Sequence, residues 1–157
     1  MSAGSIIVLA FLAFVAITIF KGVRIVPQGY KWIVQRLGKY HTTLGPGLNF
    51  VIPYIDEVAY KVTTKDIVLD IPSQEVISRD NAVLLMNAVA YINLTTPEKA
   101  VYGIENYTWA IQNMVQTSLR SIVGEMDLDD ALSSRDHIKA KLKAAISEDI
   151  ADWGITL

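Results

Sequence analysis

The 157 residues contain no cysteine. Disulfides, thiolate catalysis and cysteine-ligated metals are therefore excluded. Histidine is nearly as scarce, with His41 and His137 alone. No phosphate-cradling loop is present, because Gly45-Pro46-Gly47 lacks the Lys-Ser or Lys-Thr and the helix that should follow. A net charge of only −2 gives no electrostatic case for nucleic acid. Charge of either sign is missing altogether from Ser2 to Phe20.

That uncharged stretch is the first positive signal. It holds Ile6, Ile7, Val8, Leu9, Phe11, Leu12, Phe14, Val15, Ile17, Ile19 and Phe20, and Lys21 closes it. As a helix rising about 1.5 Å per residue it spans roughly 28 Å, close to the ~30 Å hydrocarbon core of a bilayer. A buried core helix of that length would show a polar face. A cleaved signal peptide would need a basic leader and a small-residue cleavage site. Met1-Ser2-Ala3-Gly4 carries no basic side chain, and the apolar run ends in Ile19-Phe20-Lys21. The expectation is a retained signal anchor over residues 1–22, followed by one domain over 23–157.

Cationic residues set the expected orientation. None precedes the span, while Lys21, Arg24, Lys31, Arg36 and Lys39 follow it. The N-terminus is then outside and the domain cytoplasmic. Digestion of the domain by an impermeant protease in intact cells would contradict this. Lys21 to Lys65 carries seven basic and two acidic residues; Asp66 to Leu157 carries seven and fourteen. A basic surface next to the membrane suits anionic headgroups, at about 1 kcal/mol per cation. The alternative is an ordinary solvated surface.

Behind the anchor the first half reads as strands: Lys31–Arg36, Leu48–Ile52, Glu57–Thr63 and Asp66–Ile71. Gln74–Ser78 and Ala82–Leu94 flank a polar tip, Arg79-Asp80-Asn81, where Asn81 tolerates the left-handed region. The second half changes period. Thr95 as cap, Pro97 and Glu98 open a short helix. Thr108–Met126 and Ser134–Trp153 carry apolar residues three and four apart, the second through Ile138, Leu142, Ala145, Ile146, Ile150 and Trp153. Gly154 ends it. Strands followed by helices predict an α+β domain: a curved, largely antiparallel sheet with helices on one face.

No catalytic, cofactor-binding or metal-binding set emerges. His41 reads as a solvated residue of a hairpin-like loop. Ser133, Ser134, Asp136 and His137 are close in sequence, but a triad needs its imidazole between nucleophile and carboxylate. Ser134 suits a helix N-cap and Asp136 the positive first turn. Asp127, Asp129 and Asp130 lack the ligand spacing and glycine of a calcium loop and read as helix-start acids beside core leucines. A membrane-anchored hydrolase using Ser134 or His137 is the remote alternative. Phe50, Val51, Ile52 and Tyr54, around Pro53, form an apolar segment in a loop-rich region. The first reading is core packing; the second is a shallow membrane-dipping hairpin.

Several motifs resemble the stomatin/prohibitin/flotillin/HflK-HflC (SPFH, band 7) family, with its bacterial paraslipin and stomatin-like members. They are Val26-Pro27-Gln28-Gly29-Tyr30, Arg36-Leu37-Gly38-Lys39-Tyr40 and Leu44-Gly45-Pro46-Gly47-Leu48 with Ile52-Pro53 and Asp56. Further on come Asp70 to Ser78 with Asp80-Asn81, then Arg120-Ser121, Leu128-Asp129, Leu132 to Asp136 and Trp153-Gly154-Ile155. The resemblance implies a non-enzymatic scaffold without cofactor that homo-oligomerises into rings or cages and organises membrane lipids and proteins. It also implies, as an alternative, a regulatory subunit of a membrane-bound AAA protease of the FtsH type. The implied location is a bacterial inner membrane, or alternatively the mitochondrial inner membrane. Family members normally continue past this point into a long helix, so the expectation is a chain that stops before a coiled-coil region.

Overall fold

The computed structural model describes residues 2–157. The fold is α+β, and it divides into two compact units, residues 1–64 and 65–157.

The first unit opens with helix α1, Ala3–Gly22. Its one polar mid-helix hydroxyl is satisfied internally, Thr18 Oγ1 donating to the Phe14 carbonyl at 2.8 Å. The chain then becomes extended in β1 (Val23–Val26), which pairs antiparallel with β4 (Gly47–Phe50). Strands β2 (Tyr30–Arg36), β3 (Lys39–Leu44) and β5 (Asp56–Thr63) form a second antiparallel sheet in the order β3-β2-β5. The β2–β3 turn places Leu37 and Gly38 at φ 52° and 82°, the two positive values that a tight two-residue hairpin requires. Val26, Val34, Leu44 and Val51 make the core, with Trp32 and Val58 against it.

The second unit is built on β6 (Ile67–Ile77), β7 (Val83–Leu94) and the short β8 (Ile155–Thr156), antiparallel in the order β6-β7-β8. Its helices are α2 (Pro97–Gly103), α3 (Tyr107–Gly124), α4 (Leu128–Ser133) and α5 (Arg135–Ala151). Val76, Leu119, Val123, Ala131 and Ile138 form a core cluster, joined by Leu84, Met86 and Ala88 from the inward face of β7. Arg79 and Asp127, 2.6 Å apart, tie the β6–β7 turn to the start of α4.

Several expectations shift. The strands form three sheets rather than one. Asp66–Ile71 and Gln74–Ser78 merge into the single strand β6, whose register shifts between Ile71 and Gln74. Pro72 lies in that shift, where a missing N–H does not break a ladder. His41 lies on strand β3, exposed, not in a loop. Thr96, not Thr95, holds the N-cap position of α2, while Thr95 bonds Thr156 side chain to side chain at 2.6 Å. Neither Thr96 nor Ser134 makes a side-chain cap bond; Asn106 does, accepting from the Trp109 N–H at 3.1 Å. Ala145 is exposed and Trp153 lies beyond the end of α5. Leu132 is exposed rather than core; Ala131 takes the buried place.

Candidate functional site

The first unit carries a contiguous apolar surface. In the β1–β4 ribbon, Val23 lies opposite Phe50 and Ile25 opposite Leu48. Partners directly opposite in an antiparallel pair point to the same side of the sheet. That side is therefore Val23, Ile25, Leu48 and Phe50, with Leu48 76% and Phe50 62% exposed. Val26 and Val51 turn the other way, into the core.

Gly22 joins helix to ribbon. Its carbonyl accepts from the Val51 N–H at 2.8 Å. A Cβ at this position would meet the Val51 oxygen at 2.6 Å and the Phe50 ring at 2.9 Å. The close approach of backbones requires glycine here.

The loop after β4 is fixed by charge. Arg36 donates from Nε and Nη2 to the two Asp56 carboxylate oxygens at 2.7 and 3.2 Å. The Ile52 N–H donates to Asp56 Oδ2 at 3.1 Å, and the Asp56 N–H returns to the Ile52 carbonyl at 2.9 Å. The guanidinium bond holds the Asp56 carboxyl below its usual range, burial opposes this, and the Ile52 N–H assists. Arg36 is raised in turn by the same bond. The clamped loop holds Ile52 and Tyr54 outward, and Tyr54 stacks on Phe14 with ring centroids 6.3 Å apart and planes at 8°. Phe14 lies eight residues before Gly22, roughly 12 Å along the helix. The loop tip thus runs back alongside α1, well short of the helix's C-terminal end.

The membrane-dipping candidates therefore separate. Phe50, Ile52 and Tyr54 face outward; Val51 is buried, 4% exposed, with Val26, Val34 and Leu44. The basic candidates separate too. Lys21, Arg24 and Lys39 are exposed and Lys31 is half-buried; among the described residues none of the four forms an ion pair. Arg36 is committed to Asp56. Ile25 and Leu48 were missed from sequence. Their signal is the alternation Val23-x-Ile25 and Leu48-x-Phe50, too short to stand out beside the long apolar run. The anchor candidates from Ile6 to Phe20 all lie on α1, which is long and apolar enough to cross a membrane and buries nothing along that stretch.

Possible reaction centres fare differently. A cleft of about 1210 Å³ in the first unit includes Arg24, Trp32, Tyr54 and Lys61 in its walls. Lys61 Nζ sits 4.5 Å from the Trp32 ring centroid. The cleft exceeds the ~300–1,000 Å³ of ordinary small-molecule pockets. Near α5, Ser133 Oγ donates to the Asp129 carbonyl at 2.6 Å, and His137 is exposed. Among the described residues no hydrogen bond joins Ser134, Asp136 and His137. No group of three or more acidic or histidine side chains among them could hold a metal ion.

Comparison with known proteins fits this arrangement. The model of the SPFH domain / Band 7 family matches residues 24–157. An uncharacterized protein of Methanocaldococcus jannaschii is 40% identical over 139 residues, 88% of this chain and 69% of that protein. The mitochondrial stomatin-like protein 2 of Homo sapiens is 37% identical over 130 residues, covering 83% of this chain and 36% of its own length. An uncharacterized protein of Mycobacterium tuberculosis is 35% identical over 153 residues, 98% of this chain and 40% of its own length. The chain thus spans well under half of the last two relatives. With the family model covering most of its residues, the chain belongs to the SPFH domain / Band 7 family.

Proposed function

We propose that the chain is a membrane-anchored, non-enzymatic scaffold that self-assembles and organises lipids and membrane proteins around it. The carrying observation is the apolar surface formed by α1, the β1–β4 ribbon and the clamped loop, with Tyr54 stacked on Phe14. With α1 across the bilayer, the loop tip and ribbon lie at or below the headgroup level. Lys21 and Arg24 then stand where anionic headgroups are. On this reading the first unit is seated in the membrane. The stomatin-like relatives support a scaffold over a hydrolase.

On this reading the membrane is a bacterial inner membrane, with the N-terminus outside and residues 23–157 cytoplasmic; the mitochondrial relative makes a mitochondrial inner membrane the alternative. Sedimentation of the full chain in mild detergent tests the assembly: multiples of the 17.4 kDa monomer are expected. A monomer at every concentration would contradict it. Regulation of a membrane-bound AAA protease is a narrower form of the same proposal. Unchanged substrate turnover by the host's membrane proteases after deletion would count against that form.

A further inference from the structure

The strand registers of the first unit decide which charges its cleft of about 1210 Å³ collects. Arg24 lies opposite Asn49, on the side of β1 that also carries Val26. Val26 packs with Val34 of β2. Trp32 shares the Val34 side of β2, and Lys61 of β5 lies directly opposite Trp32. Arg24 from the ribbon and Lys61 from the sheet are therefore turned toward the same cleft, and both are in its walls. Lys61 Nζ is held over the Trp32 ring, 4.5 Å from its centroid. Both cations are exposed, and among the described residues neither forms an ion pair. The carboxylates of the walls do not cancel them. Asp56 takes both bonds from Arg36, and Glu57, opposite Gln35, lies on the other side of the sheet from Trp32 and Lys61.

The wall contributed by α1 has the opposite character. It presents Ile19 and Phe20, just before the helix ends at Gly22, and Phe20 is 85% exposed. An occupant that satisfies both walls has an anionic group for the cations and an apolar part for these side chains. Inorganic phosphate meets only the first condition and a bare acyl chain only the second. With α1 across the bilayer, Ile19 to Arg24 is the stretch where hydrocarbon gives way to headgroups, the level at which tryptophan is also favoured. A choline headgroup carries an ammonium close to its phosphate, and two cations in one cleft repel it. A headgroup without a positive charge escapes that penalty.

We propose that this cleft holds one molecule of anionic phospholipid, its phosphate between Arg24 and Lys61 and the start of an acyl chain along Ile19 and Phe20. This rests on the membrane-seated reading above and sharpens it from diffuse attraction of headgroups to one bound lipid. Arg24 supplies a planar fork of donors matched to phosphate oxygens, and Lys61 a point charge. Trp32 is a positioning residue, since it fixes the Lys61 ammonium. A cleft larger than the ~300–1,000 Å³ of ordinary small-molecule pockets suits a headgroup together with the upper part of its chains.

The test titrates the full chain in mild detergent with short-chain phosphatidylglycerol or phosphatidylcholine and counts bound lipid by native mass spectrometry. One phosphatidylglycerol per copy is expected, preferred over phosphatidylcholine by about tenfold. Arg24→Gln and Lys61→Gln should each weaken it by about tenfold, the loss of a hydrogen bond between charged groups. Both side chains are exposed, so circular dichroism should not change, and Lys61→Arg should keep the binding. Lys21→Gln removes the same charge at the end of α1 but outside the cleft walls, and should leave the titration as it was. An equal loss in Lys21→Gln, unchanged binding in Arg24→Gln and Lys61→Gln, or equal binding of the two lipids overturns the site and leaves the membrane seat standing. Displacement of the lipid by inorganic phosphate also overturns it, in favour of a free-anion site. A chain that carbonate strips from cell membranes sinks the membrane-seated reading and this proposal together.

Discussion

Both units expose apolar strands, yet their surroundings differ in sign and in neighbours. In residues 1–64 the bare strands adjoin α1, beside the unpaired cations Lys21 and Arg24, with a formal charge of +4. In residues 65–157 the bare strands carry Asp70 and Glu75 in a unit of formal charge −6. Similar apolar strands thus sit in fields of opposite sign. A cationic apolar surface beside a long apolar helix suits anionic lipid, and an anionic one does not.

The largest effect is expected at the β1–β4 ribbon. Leu48→Asp with Phe50→Asp should weaken binding of residues 23–157 to anionic vesicles by at least about a hundredfold, since each buried side chain contributes roughly 1.5–3 kcal/mol. Vesicle flotation measures this, and a similar double change at Val83 and Leu85 should leave flotation as it was. Gly22→Ala should come next, destabilising the first unit by about 2 kcal/mol through the clash with Val51 and Phe50. Chemical unfolding in detergent, followed at Trp32, reports it; no change would mean that helix and ribbon are not held as described. In the second unit Asn106→Ala removes the cap on α3 and should cost about 1 kcal/mol, read from Trp109 and Trp153.

The smallest effect is one of pH. Asp56 has a lowered pKa in the folded state, so its contribution is present above the unfolded value of about 3.9. That contribution is lost as pH falls through the lower folded value. Protease cleavage within residues 51–55 should therefore rise in acid below about pH 4. In Asp56→Asn cleavage should already be raised at neutral pH and be flat across that window. Identical pH profiles for the two chains would rule out the clamp.

Helix α1 was legible because nineteen uncharged, mostly apolar residues leave few alternatives. Helices α3 and α5 were legible from their three-and-four spacing, α2 from Pro97 and Glu98, and the β6–β7 turn from Asp80 and Asn81; the six-residue α4 was not called, being too short to show a period. The ribbon was not, because β1 is four residues long and its partner β4 lies more than twenty residues away. Periodicity within one segment cannot report such a pairing. The same limit hid the split between Val51 and its neighbours, since which side of β4 is buried depends on β1 and Gly22. The Arg36–Asp56 clamp likewise joins residues twenty apart. The cap of α2 was misplaced for a local reason: Thr95 and Thr96 are alike by type and backbone geometry chose Thr96, while Ser134 does hold the N-cap position of α5, without a side-chain bond.

We propose that the first unit sits partly within the bilayer. The absence of native cysteine permits a direct measurement. Single cysteines at positions 54, 48 and 41, each carrying a nitroxide, would be placed in the full chain in lipid nanodiscs. Collision rates with oxygen and with a water-soluble nickel chelate then give depth. Labels at 54 and 48 should lie at or below the phosphates, shielded from nickel, and a label at 41 should lie in water. Nickel access at 54 and 48 equal to that at 41 would contradict it.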